Sequence, residues 1–139
     1  MKQNLTVEQS SQLITLGVDE SKASLCRIQH EADGEIEYRI VPHDEFCYEM
    51  NCLHPKPIFN LSDVLEMLPK VITEKGDRRF PRKGVLLMFR EPENIKSDKW
   101  VWWVRYTDII DPIKAPELID ALYELLCDVL KNYKDQMKI

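Results

Sequence analysis

Twenty residues near the end of the chain, "APELIDALYELLCDVLKNYK", constrain the fold more than any other stretch. Leu118, Ala121, Leu122, Leu125, Val129 and Tyr133 recur at helical spacing and make a broad apolar face. Glu117, Asp120, Glu124 and Asp128 make an acidic outer face, and Lys131, Lys134 and Lys138 gather at the end where the helix dipole favours cations. Pro116 suits a first helical position. Such a helix gains most of its stability by burying that face against a second layer. The stretches "VLLMFRE" and "WVWWVRYT", joined by the polar loop "PENIKSDK", read as two strands that could supply it.

Upstream, "LTVEQSSQLITLG" reads as a helix capped by Thr6, with Gln9 placed for a capping box and Gly17 for a left-handed stop. "ASLCRIQHEADGEIEYRIV" reads as a β-hairpin, because Asp33-Gly34 suits a turn with two positive φ angles. "NLSDVLEMLPKVI" reads as a helix capped by Asn60 or Ser62, with Leu61, Val64, Leu65 and Leu68 on one face, and Pro69 ends or kinks it. Residues 42–60 read as an irregular connection with prolines at 42, 55 and 57 and room for a helical turn over 44–50. "TEKGDRRFPRKG" reads as a charged turn. The expected fold is α+β in the order α-β-β-α-β-β-α: a four-stranded, mainly antiparallel sheet with helices packed mostly on one face. A length of 139 residues suggests one domain over 1–139.

Side chains alternate across a strand. Trp100, Trp102, Val104 and Tyr106 are expected to face the helices, and Val101, Trp103, Arg105 and Thr107 to face away. The same reasoning turns Val85, Leu87 and Phe89 inward and Leu86, Met88 and Arg90 outward. In the hairpin it turns Ile36, Tyr38 and Ile40 inward and Glu37 and Arg39 outward. Leu25 and Arg27 share a face, which leaves the first strand ambiguous. The open face would then carry Trp103, Leu86, Met88 and Val101 among Arg39, Arg90 and Arg105, a composition enriched at protein interfaces. Trp103, Arg105, Arg90, Met88, Leu86 and Arg39 are therefore the candidate partner-binding residues, for another protein or a second copy. The competing reading covers this face with the last helix or the 42–60 segment.

Chemistry is harder to find. No phosphate loop, nucleophile elbow or H-E-x-x-H stands in the sequence. Asp108 and Asp111 follow a strand, but two acids in a polar turn are commoner as caps and solvated charges. "FCYEMNCLHP" sets Cys47, Cys52 and His54 close to His43, four residues that could ligate zinc. Their spacing is not that of two close pairs separated by a loop, and no glycine lies between 43 and 54 to admit a knuckle. No metal or cofactor is expected, and the segment reads as a loop whose cysteines pack as small apolar residues. A thiol enzyme built on Cys47 or Cys52 with His43 or His54 lacks an orienting acid. Cys26 and Cys127 read as core residues and His30 as a surface residue.

Nucleic-acid binding is the alternative function. The basic turn with Lys75, Arg78, Arg79, Arg82 and Lys83 could extend an aromatic-and-arginine sheet face. Against it stand the net charge of −5 and the expected lack of paired aromatics on adjacent central strands. A structural zinc protein is the third class. The polar N-terminal segment and the short apolar runs suggest no leader and no membrane span. A cytoplasmic setting follows as an expectation, in which the four cysteines stay reduced.

The stretches "PIFNLSDVLEMLPKVI", "WVWWVRY" and "ELIDALYELLCDVLKNY", with the opening "LTVEQSSQLITLGVDESKAS", resemble a family of short α+β proteins from gut commensal bacteria that has no assigned activity. The resemblance covers most of the chain outside residues 42–56. Its motifs are helix starts and core stripes, so it implies a single intracellular bacterial domain and transfers no functional residue.

Overall fold

The computed structural model describes residues 1–43, 53–74 and 80–137, apart from the side chains of His30, Ala32, Leu53 and His54. The fold is α+β, with three α-helices and two antiparallel sheets among the described residues. The chain divides into two compact units, Gln3–Asp63 and Met1–Lys2 with Val64–Ile139.

The first unit opens with α1, Val7–Thr15. Its capping box forms as the sequence predicts. The Gln9 N–H donates to Thr6 Oγ1 at 3.0 Å, and the Thr6 N–H donates to Gln9 Oε1 at 2.9 Å. At the other end Gly17 takes φ 110°. The N–H groups of Gly17 and Val18 then reach the carbonyls of Ile14 and Leu13, the two bonds of a Schellman stop. Strands β1, Leu25–Ala32, and β2, Glu35–Pro42, form the expected hairpin around Asp33-Gly34, with φ 53° and 81°. A further strand, β3, Leu53–Ile58, pairs with the other side of β1, giving the order β2-β1-β3. The core of this unit holds Leu5, Leu13, Val18, Cys26, Ile58 and Phe59.

The expected inward face of β2 is overturned. Ile36, Tyr38 and Ile40 are 54%, 57% and 51% exposed. Every residue from Glu35 to Ile40 is exposed, because β2 is an edge strand whose two faces both meet solvent. Alternation alone identifies two faces; it does not show that either is covered.

The carboxylate of Asp63 is buried and fully engaged. It accepts from the N–H of Ser24 at 2.9 Å, the N–H of Asn60 at 3.0 Å and the Ser24 hydroxyl. Asn60 Oδ1 in turn accepts from the Asp63 N–H at 2.8 Å, so these two residues cap α2, Leu61–Met67, reciprocally.

The second unit carries the four-stranded sheet, in the order β4-β5-β6-β7: Val71–Glu74, Arg82–Pro92, Trp100–Tyr106 and Ile113–Ala115. This is the expected antiparallel sheet, but its outer strands are β4 and β7 rather than the hairpin. Helix α3, Leu118–Asn132, packs on β6 and β7. Its buried face is wider than the sequence suggests, adding Ile119, Leu126 and Leu130, while Tyr133 is only half-buried. Pro116 stands one residue before the N-cap Glu117 rather than inside the helix. Cys26 is a core residue as expected; Cys127 is half-buried.

Replacing Asp63 with Ala is expected to lower the stability of the chain by about 2 kcal/mol, since two part-buried N–H groups and the Ser24 hydroxyl lose a charged acceptor. Chemical denaturation checks this. Asp63→Asn, which keeps one carbonyl acceptor, should lose clearly less.

Candidate functional site

The register between β5 and β6 decides which side chains look outward. Leu86 pairs with Tyr106, Met88 with Val104 and Arg90 with Trp102, so these six share one face. That face is covered at the Tyr106 end, where Val104 and Tyr106 are fully buried, and opens toward Trp100, where Met88 is 43% exposed and Arg90 is exposed as well. The Tyr106 hydroxyl donates to the Pro69 carbonyl at 2.6 Å, and burial pushes this phenol well above its usual range. Leu87 pairs with Arg105, Phe89 with Trp103 and Glu91 with Val101, and these form the outer face. Val71, opposite Val85, and Lys114, opposite Trp103, extend it onto β4 and β7.

The expected inward set of β6 is confirmed at Val104 and Tyr106, while Trp102 is half-buried and Trp100 exposed. The register reverses the expected faces of β5, although Met88 and Arg90, expected outward, are exposed at the open end of the other face. Val85, Leu87 and Phe89 point outward, 48%, 43% and 42% exposed, beside Val71 at 44%. Leu86, Met88 and Arg90 lie across the sheet from Trp103 and Arg105. The Arg90 guanidinium sits 5.4 Å from the Trp100 ring and 5.9 Å from the Trp102 ring on that other face. Arg39 belongs to β2, in the other sheet, where it faces Glu37 at 3.7 Å. Of the six candidate residues, only Trp103 and Arg105 share the outer face.

What sequence reasoning missed is the neighbour of Trp103. Phe89 stacks on it with ring centroids 5.9 Å apart and planes 10° from parallel. The Lys114 ammonium lies 5.5 Å from the same indole. Paired aromatics on adjacent central strands, expected to be lacking, are therefore present. The indole Nε1 of Trp103 and the Nε of Arg105 are buried without a hydrogen-bond partner among the described residues. Two donors are thus shielded from water beside an open apolar surface.

Gly84 holds this register at its base. A Cβ there would lie 2.7 Å from the carbonyl oxygen of Thr107, so only glycine lets β5 approach the end of β6. Thr107 bonds Val85 twice: its N–H donates to the Val85 carbonyl at 3.1 Å, and its hydroxyl oxygen accepts from the Val85 N–H at 3.0 Å.

The other candidates carry less. Asp108 occupies the turn after β6 with φ 60°, a conformation aspartate tolerates. Asp111 lines a hollow of about 410 Å³ with Asp128 and Tyr133, and among the described residues no third acidic or metal-binding group joins them. Cys47 and Cys52 lie outside the described residues, as does the side chain of His54. His43 directs Nδ1–H to the Ala23 carbonyl at 2.9 Å. No metal-binding cluster occurs among the described residues. Burial pushes the Cys127 thiol up, away from the thiolate a nucleophile needs. The basic turn residues Lys75, Arg78 and Arg79 also lie outside the described residues. No described helix is long and apolar enough to cross a membrane.

No protein-family model, curated protein or solved structure matches this chain.

Lysine substitutions will separate the two faces of the sheet. Leu87→Lys should change stability by no more than about 0.5 kcal/mol, as a surface change does. Val104→Lys buries an unpaired charge and should unfold the unit. Thermal melts followed by circular dichroism check this, and equal losses at both positions would contradict the outward placement of Leu87.

Proposed function

We propose that this chain is a non-catalytic protein-interaction domain whose partner docks on the outer face of the β4–β7 sheet. The observation that carries the reading is the exposure of Val71, Val85, Leu87 and Phe89 side by side on two adjacent strands. Contiguous exposed apolar surface of this kind marks interaction sites. Its centre is the Phe89–Trp103 pair, and aromatic anchors dominate interface energetics. Lys83, Arg105 and Lys114 share the face, with Glu91 as its acidic member. That charge balance favours a partner that joins apolar side chains to carboxylates or carbonyl oxygens. Such acceptors would satisfy the shielded donors of Trp103 and Arg105.

A second reading is single-stranded nucleic acid, favoured by one observation. Phe89 and Trp103 lie next to each other on central strands and are flanked by Arg105 and Lys114, the parts of a base-stacking platform. The net charge of −5 works against it, since phosphate contacts supply most non-specific affinity.

Affinity capture from cell extract with wild-type and Phe89→Glu baits tests the first reading. Proteins held by wild type and lost from Phe89→Glu, with the circular dichroism unchanged, are the expected result. The same proteins on both baits would place the contact elsewhere. Fluorescence anisotropy with single-stranded oligonucleotides at low salt tests the second. Phe89→Ala should then weaken binding about tenfold, the order of one lost base stack, and no binding by wild type removes the reading.

A further inference from the structure

We propose that two copies of this chain associate through β2, pairing antiparallel about a two-fold axis at Tyr38, so that the three strands of each copy join into one continuous sheet. This inference concerns the first unit and does not depend on the partner face of the second.

Among the described residues, the backbone of β2 carries an unused row of hydrogen-bonding groups. Among the described strands it pairs only with β1, and it is the edge of its sheet. Which groups point outward follows from two fixed points. Asp33 and Gly34 form a two-residue turn flanked by Ala32 and Glu35, and the bond that closes such a turn points the Glu35 N–H at β1. At the other end the His43 N–H donates to the Ser24 carbonyl at 2.9 Å. Antiparallel pairs alternate, so residues 35, 37, 39, 41 and 43 direct their backbone groups to β1. Ile36, Tyr38 and Ile40 then direct N–H and C=O to the open edge. Pro42 falls in the outward set and has no N–H, which ends the row.

The side chains select a second copy as the occupant. Ile36-Glu37-Tyr38-Arg39-Ile40 is chemically self-complementary when one strand is reversed. With Tyr38 opposite Tyr38 of the other copy, Glu37 faces Arg39, Arg39 faces Glu37 and Ile36 faces Ile40. Unlike charges directly opposite each other stabilise a strand pair. Registers displaced by two residues set Glu37 against Glu37 or Arg39 against Arg39. Registers displaced by one set outward backbone groups against inward ones. Only the pairing centred on Tyr38 satisfies backbone and charge together, and the isologous contact closes after two copies. It also extends the stripe of Ile36, Tyr38 and Ile40, each more than half exposed in the single chain, into the matching stripe of its partner. The Arg27 guanidinium, 4.4 Å over the Tyr38 ring, lies on the same stripe.

The other sheet manages its edges. Gln136 bonds both backbone groups of Thr73 on β4, accepting at 2.7 Å and donating at 2.8 Å, as a strand would. Its opposite edge, β7, has three residues. Exposed edges are normally blunted in such ways. Among the described residues, the eight-residue β2, with exposed apolar side chains and complementary charges, has no such device between its turn and Pro42.

Sedimentation equilibrium of the full chain tests the proposal. Wild type should be dimeric. Glu37→Arg and Arg39→Glu, made singly, each set like charges opposite and should weaken the dimer about tenfold, with circular dichroism unchanged. The combined swap, Glu37→Arg with Arg39→Glu, should restore it, a rescue that loss of folding cannot mimic. Tyr38→Cys should form an oxidised dimer beyond the wild-type background, because backbone-bonded opposite pairs hold their Cα atoms within disulfide reach. A wild type that stays monomeric up to about 1 mM, or a combined swap that fails to rescue, overturns the proposal. So does a dimer abolished by Phe89→Glu and untouched by either charge reversal, which would place self-association on the β4–β7 face instead.

Discussion

Seven consecutive pairs between β5 and β6, from Leu86 with Tyr106 to Pro92 with Trp100, fix the orientation of the second unit's sheet. Helix α3 takes Val104 and Tyr106 into the core, and the opposite residues on β5, Leu86 and Met88, are set on that same face, Leu86 half-buried and Met88 at its open end. Val85, Leu87 and Phe89 are then turned to solvent whatever their hydrophobicity, because side chains alternate with period two. A slip of one residue would exchange the faces entirely. Gly84 opposes such a slip, since its missing Cβ is what lets the Thr107 carbonyl approach. The bonds between Thr107 and Val85 lock the same end. The apolar outer face is therefore a consequence of how the core is registered, with Phe89 and Trp103 brought together by the same pairing that buries Met88's neighbour Val104.

Local signals were legible in the sequence because their causes are local. Thr6 and Gln9 cap α1, Gly17 ends it and Asp33-Gly34 turns the hairpin, each through contacts within a few residues. The apolar stripe of α3 was legible for the same reason. Strands β3, β4 and β7 were not. β3 reads "LHPKPI", with two prolines that argue against a strand, and it survives as an edge strand beside β1. "VITE" and "IKA" are too short to show a period, and they are strands because distant partners pair with them. The face of β5 was misread because "VLLMF" is apolar at every position and carries no polarity of its own. Reading β5 and β6 jointly, as two strands whose ends Pro92 and Trp100 must meet across the loop, would have assigned Phe89 to Trp103. The hairpin was misread differently: Ile36, Tyr38 and Ile40 do share a face, but no described element covers it.

The outer face of the β4–β7 sheet combines two features that act in the same direction. Exposed Val71, Val85, Leu87 and Phe89 leave apolar area in water, and burying such area contributes roughly 25 cal/mol per Å². The shielded Nε1 of Trp103 and Nε of Arg105 have lost water without gaining a protein acceptor. An unsatisfied buried donor costs about 1–3 kcal/mol. A partner that covered the apolar positions with side chains and reached the donors with carbonyl or carboxylate oxygens would relieve both. A purely apolar lid would relieve only the first, and a purely ionic one only the second. The arrangement thus selects for a mixed surface, which is also what distinguishes a specific interface from non-specific adhesion.

The two sheets handle open edges by opposite means, and side-chain chemistry explains the difference. On β4, the Gln136 amide reproduces the donor and acceptor of a missing strand and saturates Thr73. On β2, the alternating charges Glu37 and Arg39 lie on one side of the strand and Ile36, Tyr38 and Ile40 on the other. A run of like charges on an edge repels every incoming strand, including its own copy. Glu37 and Arg39 instead penalise the misregistered self-pairings and leave the one centred on Tyr38 attractive. An edge built this way is specific rather than inert: it excludes a strand that offers like charge at either position and accepts one that reads the same sequence backwards.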